Sequence, residues 1–239
     1  MKLRGRTAIV TGGGSGVGRD ICSGLAGEGA RLLVGDANPV AAEAVAARLR
    51  AMGAEAVALG VDVTDPTSVD CLVRRSVNRF GRVDILVNVL CSDHQGRSFD
   101  GEERRRSLAS HLTGTLLCCA AVVPRMRECH AGSIVNVWLD RPIDPRAGAS
   151  VWTRRLAGAF ADDGIRINSV ALEPDESSPG TRSGLVASAR RPVRSAPRRD
   201  DPWGGVVAEL LFLASDASRP LTAETLRVAA GDRRSHLAA

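Results

Sequence analysis

Residues 7 to 36 read TAIVTGGGSGVGRDICSGLAGEGARLLVGD, a stretch that permits few folds. An apolar run ends at Thr11, glycines stand at 12, 16 and 18, a helical pattern follows, and a second apolar run closes on Asp36. Glycines at such a turn let the backbone approach a pyrophosphate, while the start of the next helix offers unpaired N–H groups and a partial positive charge. A glycine pattern alone says little. Here the strand before it, the helix after it and an acid 18 residues beyond Gly18 agree, as a dinucleotide site requires. Thr11, Gly12, Ser15, Gly16, Val17 and Gly18 are the expected phosphate cradle. Asp36 can accept from both hydroxyls of a ribose and would repel a 2′-phosphate, and Ala37 brings no arginine to offset it. NAD is therefore expected over NADP.

The remainder repeats the alternation. Short runs rich in Val, Ile and Leu at 6–10, 31–35, 56–61, 85–89, 133–137, 166–170 and 225–228 read as strands. Asn38-Pro39 and Asp65-Pro66 each read as a cap followed by proline at the first helical position, and the helices they open close at Gly53 and Gly81. Strand and helix in turn imply a parallel sheet covered on both faces, and 239 residues suit one such α/β domain. Asp62, after the third run, reads either as a carboxylate for an adenine amino group or as an ordinary turn acid.

Composition narrows the partners. No apolar run approaches the roughly 20 residues of a membrane span, and the first residues lack a signal-peptide apolar region, so a cytoplasmic location is expected. Six cysteines form no CxxC pair and suit reduced core thiols, which leaves no metal site expected. The net charge of +5 is almost wholly arginine, because Lys2 is the only lysine. Aromatics make up 3% of the chain and no nucleic-acid-binding motif appears, so nucleic acid is not the expected partner. Residues 177–203 are dominated by Ser, Pro, Gly and Arg and read as a flexible loop. Arg190, Arg191, Arg194, Arg198 and Arg199 there are either solvated or a seat for an acidic partner.

With TGGGSGVG at 11–18, Asp36, Asp62-Val63, ILVN at 85–88, HLTGTLL at 111–117, GSIVN at 132–136 and GIRIN at 164–168, the chain resembles the short-chain dehydrogenases/reductases over nearly its full length. The resemblance implies a Rossmann-like, doubly wound sheet of seven strands. It adds Asp62, Val63 and Asn88 to the cofactor residues. It also implies dimers or tetramers built on helices near 107–127 and 145–162; an active paralogue as partner would suit a non-catalytic subunit.

Its chemical half departs from the pattern. The family uses a Tyr, a Lys four residues later, a Ser beyond the GSIVN strand and an Asn on the preceding helix. Counted from GSIVN, those positions fall on Trp152, Leu156, Leu139 and His111. A second alignment matches TRRLAGAF to the end of the same helix, with the Tyr and Lys turns deleted. No alignment restores the pair, since the chain holds no Tyr. Residues facing the nicotinamide also differ: Val89, Leu90 and Cys91 follow Asn88, Leu172-Glu173 replace a PG, and Ala229-Ala230 a glycine pair. A positioned general acid contributes about 10² to 10⁴ in rate. The expectation is thus a protein that binds NAD, or its adenosine portion, as a non-catalytic or regulatory subunit. The alternatives are a lyase, isomerase or cyclase, or a weak oxidoreductase. His111 reads as an acid or base oriented by Asp140 or Asp144, or as a polar residue at a vacated position. Cys91 reads as a thiolate or a buried thiol, Trp138 and Trp152 as pocket fillers or a stacking platform, and Asp140, Arg141 and Asp144 as a charged loop.

Overall fold

The apolar runs become seven strands: β1 (Thr7–Thr11), β2 (Arg31–Asp36), β3 (Ala56–Gly60), β4 (Ile85–Leu90), β5 (Gly132–Leu139), β6 (Ile165–Glu173) and β7 (Thr225–Ala229). All pair in parallel, in the order β3-β2-β1-β4-β5-β6-β7. The computed structural model describes residues 1–90, 101–139, 149–173 and 203–229. The connecting helices are α1 (Gly16–Gly27), α2 (Pro39–Ala51), α3 (Pro66–Phe80), α4 (Gly101–Glu128), α5 (Ala149–Phe160) and α6 (Gly204–Ala214).

Strand residues alternate between two apolar layers. Ala8, Val10, Leu32, Val34, Val87 and Val135 face α1, α2 and α6, while Ile9, Leu33, Leu86, Ile134 and Ile167 face α3, α4 and α5. Burial on both faces explains why the strands read as nearly unbroken Val, Ile and Leu. Each fully buried aliphatic side chain contributes about 1.5–3 kcal/mol relative to exposure. The expected caps form: Asn38 Oδ1 accepts from Val40 N and Ala41 N, and the Asp65 carboxylate accepts from Thr67 N and Ser68 N.

Two strands run further than their apolar runs suggest. The β5–β6 ladder continues through Trp138 opposite Ala171 and Leu139 opposite Leu172, and Glu173 still pairs with Ala229 of β7. Flanking partners extend a strand past its β-branched stretch, because each added residue completes a ladder already begun on both sides. No helix among the described residues is long and apolar enough to cross a membrane.

Candidate functional site

The carboxyl edge of the sheet carries the glycine turn. Gly12 sits at φ +69°, and a Cβ there would lie 2.8 Å from the Val89 carbonyl oxygen. A Cβ on Gly18 would overlap the Gly12 carbonyl oxygen. The turn between β1 and α1 thus folds onto itself and onto β4 with backbone alone at the contact. Capping distinguishes α1 from the next two helices. Asn38 and Asp65 cap α2 and α3, but Ser15, at the same place before α1, makes no side-chain capping bond. Among the described residues nothing engages the first amides of α1, and the helix start favours an anion.

Asp36 closes β2 beside this turn. Its Oδ2 accepts from Gly14 N at 2.8 Å and its Oδ1 from Asn38 N at 2.9 Å. Two bonds leave about half of a carboxylate's roughly four lone-pair positions open. Asp62 follows β3, and its Oδ1 accepts from Thr64 N at 2.8 Å and Thr64 Oγ1 at 2.7 Å. The Thr64 hydroxyl, then its amide, hold the Asp62 carboxyl below the usual aspartate value. Val63 packs against α4 at Gly114, where an added Cβ would lie 2.6 Å from Val63 Cγ2. The turn, the two carboxylates and the open amides fit a dinucleotide's adenosine and pyrophosphate.

Beneath the edge runs a polar row that sequence reasoning found only in part. Thr11, Asn88, Asn136, Ser169 and Thr225 are register partners across β1, β4, β5, β6 and β7. The first four are buried. Thr11 Oγ1 donates to Asn88 Oδ1 at 3.2 Å, and Asn88 Nδ2 donates to Asn136 Oδ1 at 2.9 Å. Trp138 Nε1 donates to Ser169 Oγ at 3.3 Å, and that hydroxyl shares a short bond with Thr153 Oγ1 of α5. Trp138 is itself buried and covers this end of the row. Asn136 Nδ2 and Thr225 Oγ1 have no hydrogen-bond partner among the described residues. An asparagine inside the apolar run GSIVN was the one sequence signal for the unexpected members.

His111, Thr115 and Cys119 recur every four residues along α4 and share one face. Cys119 lies against Asn88, Thr115 Oγ1 donates to the His111 carbonyl at 2.9 Å, and His111 is half-buried. Eight residues at about 1.5 Å each place His111 about 12 Å along the helix from Cys119, toward the carboxyl edge.

The positions counted for the other catalytic groups scatter. Leu139 is the last residue of β5. Trp152 is half-buried on α5, next to the Thr153 that meets Ser169. Leu156 lies one turn further along a helix that leads back to the start of β6, and it packs into the core among the α3, α4 and α5 layer. Cys91, Asp140, Arg141, Asp144 and residues 177–202 of the arginine-rich stretch lie outside the described residues.

A parallel sheet with a glycine turn and an acid closing the second strand at its carboxyl edge is the architecture of a nucleotide-binding α/β protein. Comparison makes this specific: the chain belongs to the short chain dehydrogenase family, whose model matches residues 6–139. An uncharacterized oxidoreductase of Mycobacterium bovis is 34% identical over 96% of this chain and 97% of its own length. D-threitol dehydrogenase of Mycolicibacterium smegmatis is 32% identical over 97% of this chain and 94% of that protein. A short-chain dehydrogenase/reductase of Burkholderia xenovorans superposes with a TM-score of 0.76 at 30% identity, covering 95% of this chain and 96% of the other.

These relatives overturn the expected non-catalytic or regulatory role, and with it the lyase, isomerase or cyclase alternative. They are named as an oxidoreductase and a dehydrogenase, and they match nearly end to end. The physical error was one of weight. A proton-transfer group supplies about 10² to 10⁴ in rate. Enzymes gain 10⁶ or more in total. The absence of the family's usual proton-transfer groups therefore does not by itself decide against turnover.

Proposed function

We propose that this protein is an oxidoreductase that moves hydride between NAD and the carbon bearing a secondary hydroxyl of a small polyol. The observation carrying the reading is Asp36, braced by Gly14 N and Asn38 N beside the uncapped start of α1. A carboxylate at that point accepts from ribose hydroxyls and repels a 2′-phosphate, and neither Ala37 nor Asn38 supplies a compensating cation. The polyol class is supported by the D-threitol dehydrogenase relative. Thr11, Gly12, Ser15, Gly16, Val17 and Gly18 would hold the pyrophosphate, Asp36 the ribose, and Asp62 and Val63 the adenine side. Bound there, NAD would supply the ring that accepts hydride.

With no tyrosine in the chain, the hydroxyl proton needs another acceptor. His111 is assigned that role, because imidazole titrates near neutrality and this one lies toward the carboxyl edge, on the face that carries Cys119 to Asn88. Asn88 and Asn136 keep the strand ends beneath it in register.

The test is turnover by the purified chain over a panel of small polyols, followed by the absorbance of reduced nicotinamide. NAD-linked turnover is expected, with NADP poorer by about tenfold, equivalent to about 1.4 kcal/mol. His111→Gln should lower kcat by about 10² to 10⁴ while leaving the KM for NAD unchanged. Tight NAD binding with no turnover of any polyol or related ketone would contradict the reading.

A further inference from the structure

A cavity of about 530 Å³ opens at the other, amino-terminal edge of the sheet. Arg6 precedes β1, Asp84 precedes β4, His130 precedes β5, Arg166 opens β6, and Asp216 and Arg219 come from the turn after α6; all six line it. We infer that this cavity binds a small molecule through an anionic end, a carboxylate or a phosphate, received by Arg166 with Arg6 and Arg219 beside it.

The charges in and behind the wall do not cancel. Asp84 is buried and already saturated: it accepts from Thr7 N at 2.9 Å, from Arg82 Nε at 2.9 Å and Nη2 at 2.6 Å, and from Arg6 Nη1 at 3.2 Å. Asp216 is shared between Arg6 at 3.2 Å and Arg219 at 3.5 Å. Among the described residues four guanidiniums thus face two carboxylates. Among them Arg166 bonds no carboxylate. Its Nη1 donates to the Leu213 and Ser218 carbonyls and to Ser218 Oγ, and its Nη2 donates to the Ser215 carbonyl. Of the five N–H donors of an arginine, Nε–H and one on Nη2 are left unengaged among the described residues. Nε–H and an Nη2–H of one guanidinium are spaced to take two oxygens of one anion. Burial works against this cation, and nearby Arg219 and Arg6 add to the strain against the pull of Asp216. An added anion would relieve both.

The cavity is walled rather than frayed. A Cβ on Gly164 would lie 2.5 Å from the His130 carbonyl oxygen, so the turns before β5 and β6 press together. His130 holds φ +46° in the turn that ends α4, the left-handed conformation that commonly closes a helix. Pockets for small molecules run from about 300 to 1,000 Å³, so the volume admits a ligand well beyond a bare anion.

Titration calorimetry of the full chain with inorganic phosphate, and separately with malonate, tests the assignment. Saturable binding of at least one is expected, and which of them binds distinguishes a phosphate from a carboxylate ligand. Arg219→Glu should weaken it by about tenfold or more, as loss of charge-assisted contact does. Arg166→Lys should weaken it too, but that change could disturb the end of α6, so the exposed Arg219 carries the decision. Phosphate could instead sit at the start of α1, and Ser15→Asp would repel it there. Binding unaffected by Ser15→Asp and lost in Arg219→Glu supports the site. Binding lost only in Ser15→Asp, or no binding of either anion, overturns it.

Discussion

Asn88 Nδ2 donates to Asn136 Oδ1 at 2.9 Å, joining β4 to β5 through side chains directly below the carboxyl edge. Asn88 also accepts from Thr11, so one buried amide ties β1, β4 and β5 at a single level. Removing it leaves a buried hydroxyl and a buried carbonyl oxygen without partners. Asn88→Ala should therefore cost about 2–6 kcal/mol, a buried unsatisfied group costing about 1–3 kcal/mol each. The urea midpoint measures this. A loss under 0.5 kcal/mol, roughly the scatter for surface changes, would show that the row contributes little.

The glycine turn makes a sharper demand. Gly18→Ala places a methyl group on the Gly12 carbonyl oxygen, so either the turn opens or α1 shifts. Overpacking of this kind costs about 1–3 kcal/mol. The melting temperature should fall, and affinity for ADP-ribose should fall with it. Unchanged affinity would mean that the turn does not seat the phosphates.

Thiol chemistry tests the burial of α1 and α4. Burial pushes the Cys118 thiol up to about 12, and pushes Cys22 and Cys119 higher still. Cys71 and Cys129 are exposed. In a Cys91→Ser background, an aromatic disulfide reagent should label Cys71 and Cys129 in the native protein and the other three only in denaturant, as mass spectrometry of the adducts would read. Native labelling of Cys119 would refute its packing against Asn88.

Acid should loosen two surface ties. The Lys2 amide, more than the neighbouring terminal ammonium, holds Glu28 below its ordinary value of 4.5, and Thr64 holds Asp62 below 3.8. Depressed carboxyls contribute stability that is present above those ordinary values and is lost as pH falls through the lower folded ones. Melting temperatures of Glu28→Gln and Asp62→Asn should lie below that of the parent at neutral pH and converge on it in acid. Parallel curves down to strongly acid pH would refute the assignment.

Legibility in the sequence followed the range of the interaction. The turn at residues 11–18 and the acid at Asp36 obey steric and spacing rules written within thirty residues of chain. Caps at Asn38 and Asp65 are more local still. The polar row was hidden for the opposite reason: Thr11, Asn88, Asn136 and Ser169 become neighbours only once the strand order sets their register. Counting from GSIVN put the lysine position on Leu156, a residue that packs into the core one turn past Thr153. Activity was misjudged because the missing tyrosine is visible in composition, whereas the near end-to-end match to a named oxidoreductase and a named dehydrogenase is not.

Hydride transfer itself is the most direct test. The purified chain, given NAD and a polyol deuterated at its secondary carbinol carbon, should pass deuterium to the nicotinamide ring, detected by mass spectrometry of the recovered dinucleotide. Deuterium in the reduced dinucleotide, lost with Asp36→Arg when NAD is the acceptor, is the predicted result. Dinucleotide recovered without deuterium after exposure to the whole polyol panel would contradict the account.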